Sequence, residues 1–387
     1  MPRYYHLRKD VDEARRGWVI DRLSALRKQL RKDVSKRLKF DRKDAFLLAT
    51  WNIRDFDSNK FGHGPRLREA LMYMAEIVST FDLIAVQEVN RNLKPLRDLM
   101  DRLGPDWDYI VTDTAEGTGG NEERLAFLYN KHKILFRNVA GEIVLPKGRR
   151  IKTRRKKKKA AEDGSVIEFI EEDELQFART PFVVAFQNGW YKFNLCTVHI
   201  YYGANFGNKL AQRVEEIGEI AEFFKRRQKR SKEDYILLGD FNIVGPEHAT
   251  MKALKKGGFK VPDDLKRHRT NLGNDMHYDQ IALRTLEKSL EIGASGVFDF
   301  YKSVYRSKKA DLDQYLSTKA ADQLRFDEVT VEVNGRKEKR KVARDDAATL
   351  KYYKKKWRTW QMSDHKLMWV ELKTDFTESY LKSLKPA

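Results

Sequence analysis

Tyr235–Asn242 reads YILLGDFN. The apolar run Ile236, Leu237, Leu238 is short, continuous and closed by a turn former, as in a strand buried on both faces. Gly239 lets the backbone turn tightly, and Asp240 and Asn242 then stand close together in a strand-end loop. Gly, Asp and Asn are also ordinary turn residues. Alone, this stretch is balanced between a plain turn and a device that holds polar groups against a phosphate or a metal.

The rest of the chain repeats the design. Phe46–Arg54, FLLATWNIR, is a second apolar strand ending in Asn52 and Arg54. Asp82–Val89, DLIAVQEV, is a third, with Gln87 and Glu88 at its end. A carboxylate there is costly unless paired, hydrated or bound to a cation, and a salt bridge to an arginine is the plain alternative. Between the two, Pro65 opens a helix with Leu67, Leu71, Met74 and Val78 on one face. Strand, helix, strand at this spacing is α/β grammar. Further strands are predicted over 107–111, 124–129, 182–186 and 190–199, the last placing His199 near its end, where a lone histidine is usually structural. A helix over 205–228 feeds YILLGDFN, and another lies near 246–257. Asp279, in MHYDQIAL, stands just ahead of an apolar run, and Ser363, Asp364 and His365 precede the final strand. Asn52, Glu88, Asp240, Asn242, Asp279, Asp364 and His365 all fall at strand ends or in adjacent short loops, and one shared site accounts for this more simply than separate turns do.

With 387 residues, 41% of them hydrophobic, the chain is long enough for one large domain with insertions. Its net charge of +20 favours a polyanionic partner, nucleic acid before an anionic membrane surface. The single cysteine, Cys196, excludes an internal disulfide and fits a reducing compartment. No apolar run approaches the ~20 residues of a membrane span, and the MPRYYHLRKD start has no signal-peptide core; the expected location is cytoplasmic. Residues 1–43 form a basic extension in which Val19, Leu23, Leu26, Leu30, Val34 and Leu38 recur at helical spacing. Two basic insertions stand out. In the first, near 147–175, RRIKTRRKKKK (149–159) reads as an exposed loop for gripping phosphates, with pairing to the acidic stretch 162–174 as the alternative. In the second, near 302–360, lysines and arginines interleave with Tyr352, Tyr353, Trp357 and Trp360, a composition suited to a phosphate backbone and stacked bases, or to a solvated insertion.

The ordered motifs WNIR, IAVQEV, FARTPFVV, TVH, GDFN, YDQI and SDH, spread from Phe46 to Leu372, resemble the endonuclease/exonuclease/phosphatase superfamily, most closely its deoxyribonuclease I branch. The resemblance implies an α/β fold, a four-layer sandwich of two packed mixed β-sheets flanked by helices, with the site at one edge. The catalytic domain then covers 44–375, followed by a tail over 376–387. It also implies that Glu88 and Asn52 hold the principal cation and Asp364 a second or alternative one. Asp240 and Asn242 would orient the attacking water and the phosphate, Asp279 would orient His365, His199 would be the other acid–base candidate, and Arg54 and Arg179 would contact phosphate oxygens. Hard oxygen ligands suit Mg2+, with Mn2+ or Ca2+ as alternatives, rather than zinc. Lys366 and Leu367 depart from the family's small hydrophobic–proline step after SDH.

Phosphodiester cleavage needs an in-line water, a proton for the leaving oxygen, and cations or dipoles facing the charge at phosphorus, and these residue types supply them. The expected activity is a divalent-metal-dependent, weakly sequence-selective DNA endonuclease, with DNA favoured over RNA and a protein regulator left open. The alternatives are a phosphoesterase acting on phospholipid or inositol phosphate, and a catalytically silent nucleic-acid-binding protein.

Overall fold

Alternation along apolar strands decides which face each side chain takes. In β1 (Ala45–Phe56), Leu47, Ala49, Trp51 and Ile53 share one cluster, while Phe46 and Leu48 belong to another. The first cluster takes in Val19, Leu23, Leu26 and Leu30 of the helix Glu13–Asp33 and Ala70, Met74 and Ile77 of the helix Arg68–Val78. The second joins the facing sides of two sheets and continues into the helices that cover the second sheet. This computed structural model describes residues 1–114, 122–160, 165–333 and 336–385.

β1 runs parallel to β2 (Leu83–Val89), and beyond it come β3 (Trp107–Val111) and β4 (Arg124–Asn130), in the spatial order β1-β2-β4-β3. Next in the chain are β5 (Leu135–Glu142) and a separate ribbon of β6 (Ile151–Ala160) and β7 (Val166–Leu175). The second sheet is completed by β8 (Phe182–Asn188), β9 (Tyr191–His199), β10 (Asp234–Asp240) and β11 (Asp279–Arg284), in the order β11-β10-β9-β8-β5. β12 (Glu291–Phe298) returns to the edge of the first sheet. After a second ribbon of β13 (Phe326–Val333) and β14 (Arg336–Ala343), β15 (Leu367–Lys373) inserts between β12 and β1. Both sheets are mixed: β1/β2 and β9/β10 are parallel pairs, the others antiparallel. The helix Gly207–Ser231 packs Ile217, Ile220, Ala221 and Phe224 into the core of the second sheet, and Ala249–Lys256 adds Met251 and Leu254. This is the expected four-layer α/β sandwich.

The topology also creates the site. β1, β2, β9 and β10 run toward one end of the sandwich and finish there, whereas β4, β11 and β15 start from that same end. Residues that follow the first group and precede the second therefore meet. Gly239 is fixed by this packing: its φ is +131°, and a Cβ would lie 2.2 Å from the Val198 carbonyl oxygen.

Two expectations change and one is narrowed. The apolar stripe of the N-terminal helix packs onto the main body, with Val19, Leu26 and Val34 fully buried. The basic block 149–159 is mostly a strand rather than a loop, and it faces acids: Arg154–Glu172 at 2.8 Å, Lys157–Glu171 at 2.6 Å and Lys158–Glu168 at 2.9 Å. Cross-strand pairing satisfies these charges, so the phosphate-gripping reading gives way to its alternative; the start of the acidic stretch, 162–164, and the tail residues 386–387 lie outside the described residues. Tyr353, Trp357 and Trp360 are fully buried and cannot stack on bases. Among the described residues no helix is long and apolar enough to cross a membrane.

Candidate active site

Asp240 stands at the centre. It ends β10, paired with His199 on one side and Asp279 on the other. Its Oδ1 accepts the Asn242 backbone N–H at 2.9 Å, and its Oδ2 accepts from Asn52 Nδ2 at 3.1 Å. Two imidazoles approach the same Oδ2, His199 through Nε2 at 3.6 Å and His365 through Nε2 at 3.7 Å. Each has a carboxylate behind it. His365 Nδ1 is 2.8 Å from Asp279 Oδ2, and His199 Nδ1 is 3.0 Å from Glu123 Oε2. The site thus contains two acid-backed histidines converging on one carboxylate oxygen.

The charges reinforce one another. Burial would lower the His365 pKa, but Asp279, Asp240 and Asp364 raise it well above the usual imidazole value. Burial would raise the Asp240 pKa, yet His365 and His199, with bonds from Asn242 and Asn52, bring it below the ordinary carboxylate range. Burial also works against Glu123, and His199 and Arg179 overcome it, bringing that carboxyl down to about 2.

Glu88 occupies the end of β2 with a left-handed φ of +61°. Its Oε1 accepts from Asn52 Nδ2 at 3.0 Å and its Oε2 from the Asp55 N–H at 2.8 Å. Burial, then the neighbouring Glu123, raises its pKa. Asn52 Oδ1 is buried without a hydrogen-bond partner among the described residues. A partnerless amide oxygen beside a crowded carboxylate is an arrangement that a hard divalent cation satisfies. Glu88, Glu123 and His199 each offer a ligand atom within 4.8 Å of the others. Asp364 is half exposed, with Arg54 Nε 3.9 Å away, and its charge also acts on Glu88. Arg54 also donates to Thr359 Oγ1. Arg179 is nearly buried, and its Nε donates to Glu123 Oε2 at 2.6 Å.

All ten residues singled out from sequence lie at this end of the sandwich. Two others were missed. Glu123 precedes β4 and looks like any loop acid; only the antiparallel pairing of β4 with β2 brings it beside Glu88. Arg213, buried in the helix Gly207–Ser231, donates from Nε to the Tyr202 carbonyl at 2.9 Å and from Nη1 to the Asn242 carbonyl at 3.0 Å. It ties the loop after β9 to the loop after β10.

One turn further along that helix, Glu216 is fully buried and accepts the Tyr201 N–H at 3.4 Å. Burial pushes its carboxyl up to about 8. The folded protein therefore holds this proton more tightly than the unfolded chain does. Its stabilising effect is complete below about pH 4.5 and is lost as the pH rises toward 8, by about 1.4 kcal/mol per pH unit at most. A Glu216→Gln protein is expected to gain on the parent by about 1 kcal/mol per unit between pH 5.5 and 7.5. Urea midpoints at three pH values check this, and a constant difference would refute it.

The fold and this site define a class: two-sheet α/β sandwiches with a polar site where the strands end. The chain belongs to the endonuclease/exonuclease/phosphatase family, whose model matches residues 49–289; this is a family of divalent-metal-dependent phosphoesterases. Among solved structures, an endonuclease/exonuclease/phosphatase family protein from Bacteroides thetaiotaomicron is 17% identical, with 85% of this chain and 97% of that one covered and a TM-score of 0.50. A mannosyl-6-phosphatase from Bacteroides thetaiotaomicron VPI-5482 is 18% identical over 84% of this chain and 99% of that one, at 0.48. The human nocturnin catalytic domain with bound sulfate is 12% identical over 86% and 96%, also at 0.48. Among curated proteins no sequence match is significant.

Proposed function

We propose that this chain is a divalent-metal-dependent DNA endonuclease of low sequence selectivity. The observation that carries the hydrolytic part is the pair of acid-backed histidines facing Asp240 Oδ2. Two such units give one group to take a proton from the attacking water and one to protonate the leaving sugar oxygen. Asp240 and Asn242 orient the water and the phosphate, and Arg54 and Arg179 neutralise phosphate oxygens. Glu88 and Asn52 would hold the principal cation and Asp364 a second, and the cation, when bound, supplies charge neutralisation at phosphorus.

The net charge of +20 supports a polyanionic substrate. A cavity of about 890 Å³ does not serve this chemistry: Leu283 and Arg284 line it, at the opposite end of β11 from Asp279. The domain reading is likewise proposed with one change: residues 1–43 and 44–375 act as a single catalytic unit, because the helix Glu13–Asp33 shares the core.

Supercoiled plasmid incubated with the purified protein should be nicked in magnesium or manganese and left intact in excess chelator. Binding should weaken steeply between 50 and 200 mM salt, on the order of 10³-fold for six or more phosphate contacts. Cleavage that persists in chelator would refute the metal dependence. Turnover of phospholipid vesicles or inositol phosphate without DNA cleavage would transfer the site to the alternative substrates.

A further inference from the structure

Between β1 and the helix Arg68–Val78 the chain forms a loop whose ring Phe61 is 48% exposed. Arg54 lies over that ring, 4.7 Å from its centroid, and Lys60 lies 5.3 Å from it. Both cations also reach the site: Arg54 Nε is 3.9 Å from Asp364, and Lys60 Nζ is 3.6 Å from Glu123 Oε1. Phe61 therefore sits one side chain away from the residues proposed to act on the phosphodiester.

Behind Phe61 opens a cavity of about 630 Å³. His63 stacks on Phe61 with centroids 6.1 Å apart, and Tyr352 meets His63 edge-on, its hydroxyl oxygen and His63 Nδ1 sharing a hydrogen bond of 2.8 Å. Burial, Arg54, Lys356 and Arg344 push His63 down to about 4, so it is a neutral ring at physiological pH. The remaining wall is mixed in charge. Arg344 is paired with Asp327 and Lys341 with Asp322 at 2.7 Å. A cavity with its own carboxylates repels a phosphate, whereas aromatic faces with donors and acceptors around them match a neutral, planar, hydrogen-bonding ring. The cations that do suit phosphate, Arg54 and Lys60, are not part of the cavity wall and reach toward Asp364 and Glu123 of the site.

We infer that Phe61 and the cavity behind it form a nucleobase subsite, which takes one unpaired base of a strand whose adjacent phosphate is held by Arg54 and Lys60. This rests on the nuclease reading above and sharpens it: the substrate presents an unstacked base next to the cleaved bond, as single-stranded or frayed nucleic acid does and an intact duplex does not. Base–aromatic stacking is worth about 1–3 kcal/mol per base, so losing it weakens binding roughly 5- to 150-fold.

The test compares parent, Phe61→Ala and Phe61→Trp proteins. A fluorescent single-stranded oligonucleotide and an abasic one of the same length and charge are titrated in chelator and followed by anisotropy. Nicking of plasmid and oligonucleotide in magnesium is measured in parallel, and melting temperatures confirm folding. The parent should bind the base-bearing strand about tenfold tighter than the abasic one. Phe61→Ala should close that gap, and Phe61→Trp should keep it. An equal ratio for parent and Phe61→Ala overturns the subsite, and if nicking persists the nuclease reading stands without it. A Phe61-dependent ratio with no cleavage of any nucleic acid overturns the nuclease reading and leaves the subsite as a binding site.

Discussion

Replacing His365 with alanine is expected to lower the magnesium-dependent nicking rate about 10³-fold, within the range removed when a positioned acid–base group is lost. The imidazole is fixed through both of its nitrogens. Its Nδ1 is held at 2.8 Å by Asp279, and its Nε2 faces Asp240 Oδ2 at 3.7 Å. Asp279→Asn should cost less, about 10²-fold, because the histidine remains but its tautomer and charge are no longer fixed. The double substitution should be no slower than His365→Ala alone, since residues acting as one unit are not additive. Single-turnover rates on plasmid, with magnesium varied for each protein, decide the matter. The magnesium concentration giving half the maximal rate should be unchanged in His365→Ala. A variant within tenfold of the parent would remove His365 from the chemistry. Because the substitution leaves Asp279 and Asp240 buried without their cation, the parallel check is a melting curve, which separates a folded, inactive protein from an unfolded one.

The sequence was most legible where one local rule acts. Buried strands ending in polar residues mark β1, β2 and β10, and they carry Asn52, Glu88 and Asp240 into one place because parallel neighbours end at the same edge of the sandwich. Glu123 was not legible for the converse reason: it precedes its strand, after the polar run Gly119, Gly120, Asn121, Glu122, and only long-range antiparallel pairing gives it meaning. The aromatic residues of the second insertion did carry a signal. Tyr353, Trp357 and Trp360 are spaced four and three apart, the period of one helical face, and that face is buried. Composition pointed to base stacking, and periodicity was the better guide. The basic block likewise reads as a phosphate clamp until the register Arg154↔Glu172 and Lys158↔Glu168 sets its charges opposite an acidic strand. Net charge is a property of the whole chain, whereas a binding face depends on which charges are already satisfied by neighbours.

Glu123→Gln should separate the two kinds of carboxylate in the site. Glu88, Glu123 and His199 are close enough to share a cation, yet the Glu123 oxygens are already engaged. Oε2 meets Arg179 Nε at 2.6 Å and His199 Nδ1 at 3.0 Å, and Oε1 lies 3.6 Å from Lys60 Nζ. Two cations, Arg179 and Lys60, and the His199 ring already occupy its oxygens, which makes it a poor metal donor and a good anchor, so it stands to His199 as Asp279 stands to His365. The expected result is a rate about 10²-fold lower at saturating magnesium, with the half-saturating magnesium concentration moved less than threefold. Glu88→Gln should do the opposite first, raising the magnesium requirement tenfold or more, because its carboxylate is bonded to amide N–H groups and crowded by negative charge, which favours a cation. Calorimetric titration of magnesium into each protein gives the same comparison without turnover. If Glu123→Gln abolishes magnesium binding as fully as Glu88→Gln, the cation lies between Glu88, Glu123 and His199. His199 would then be a ligand, and His365 alone would be left to move protons.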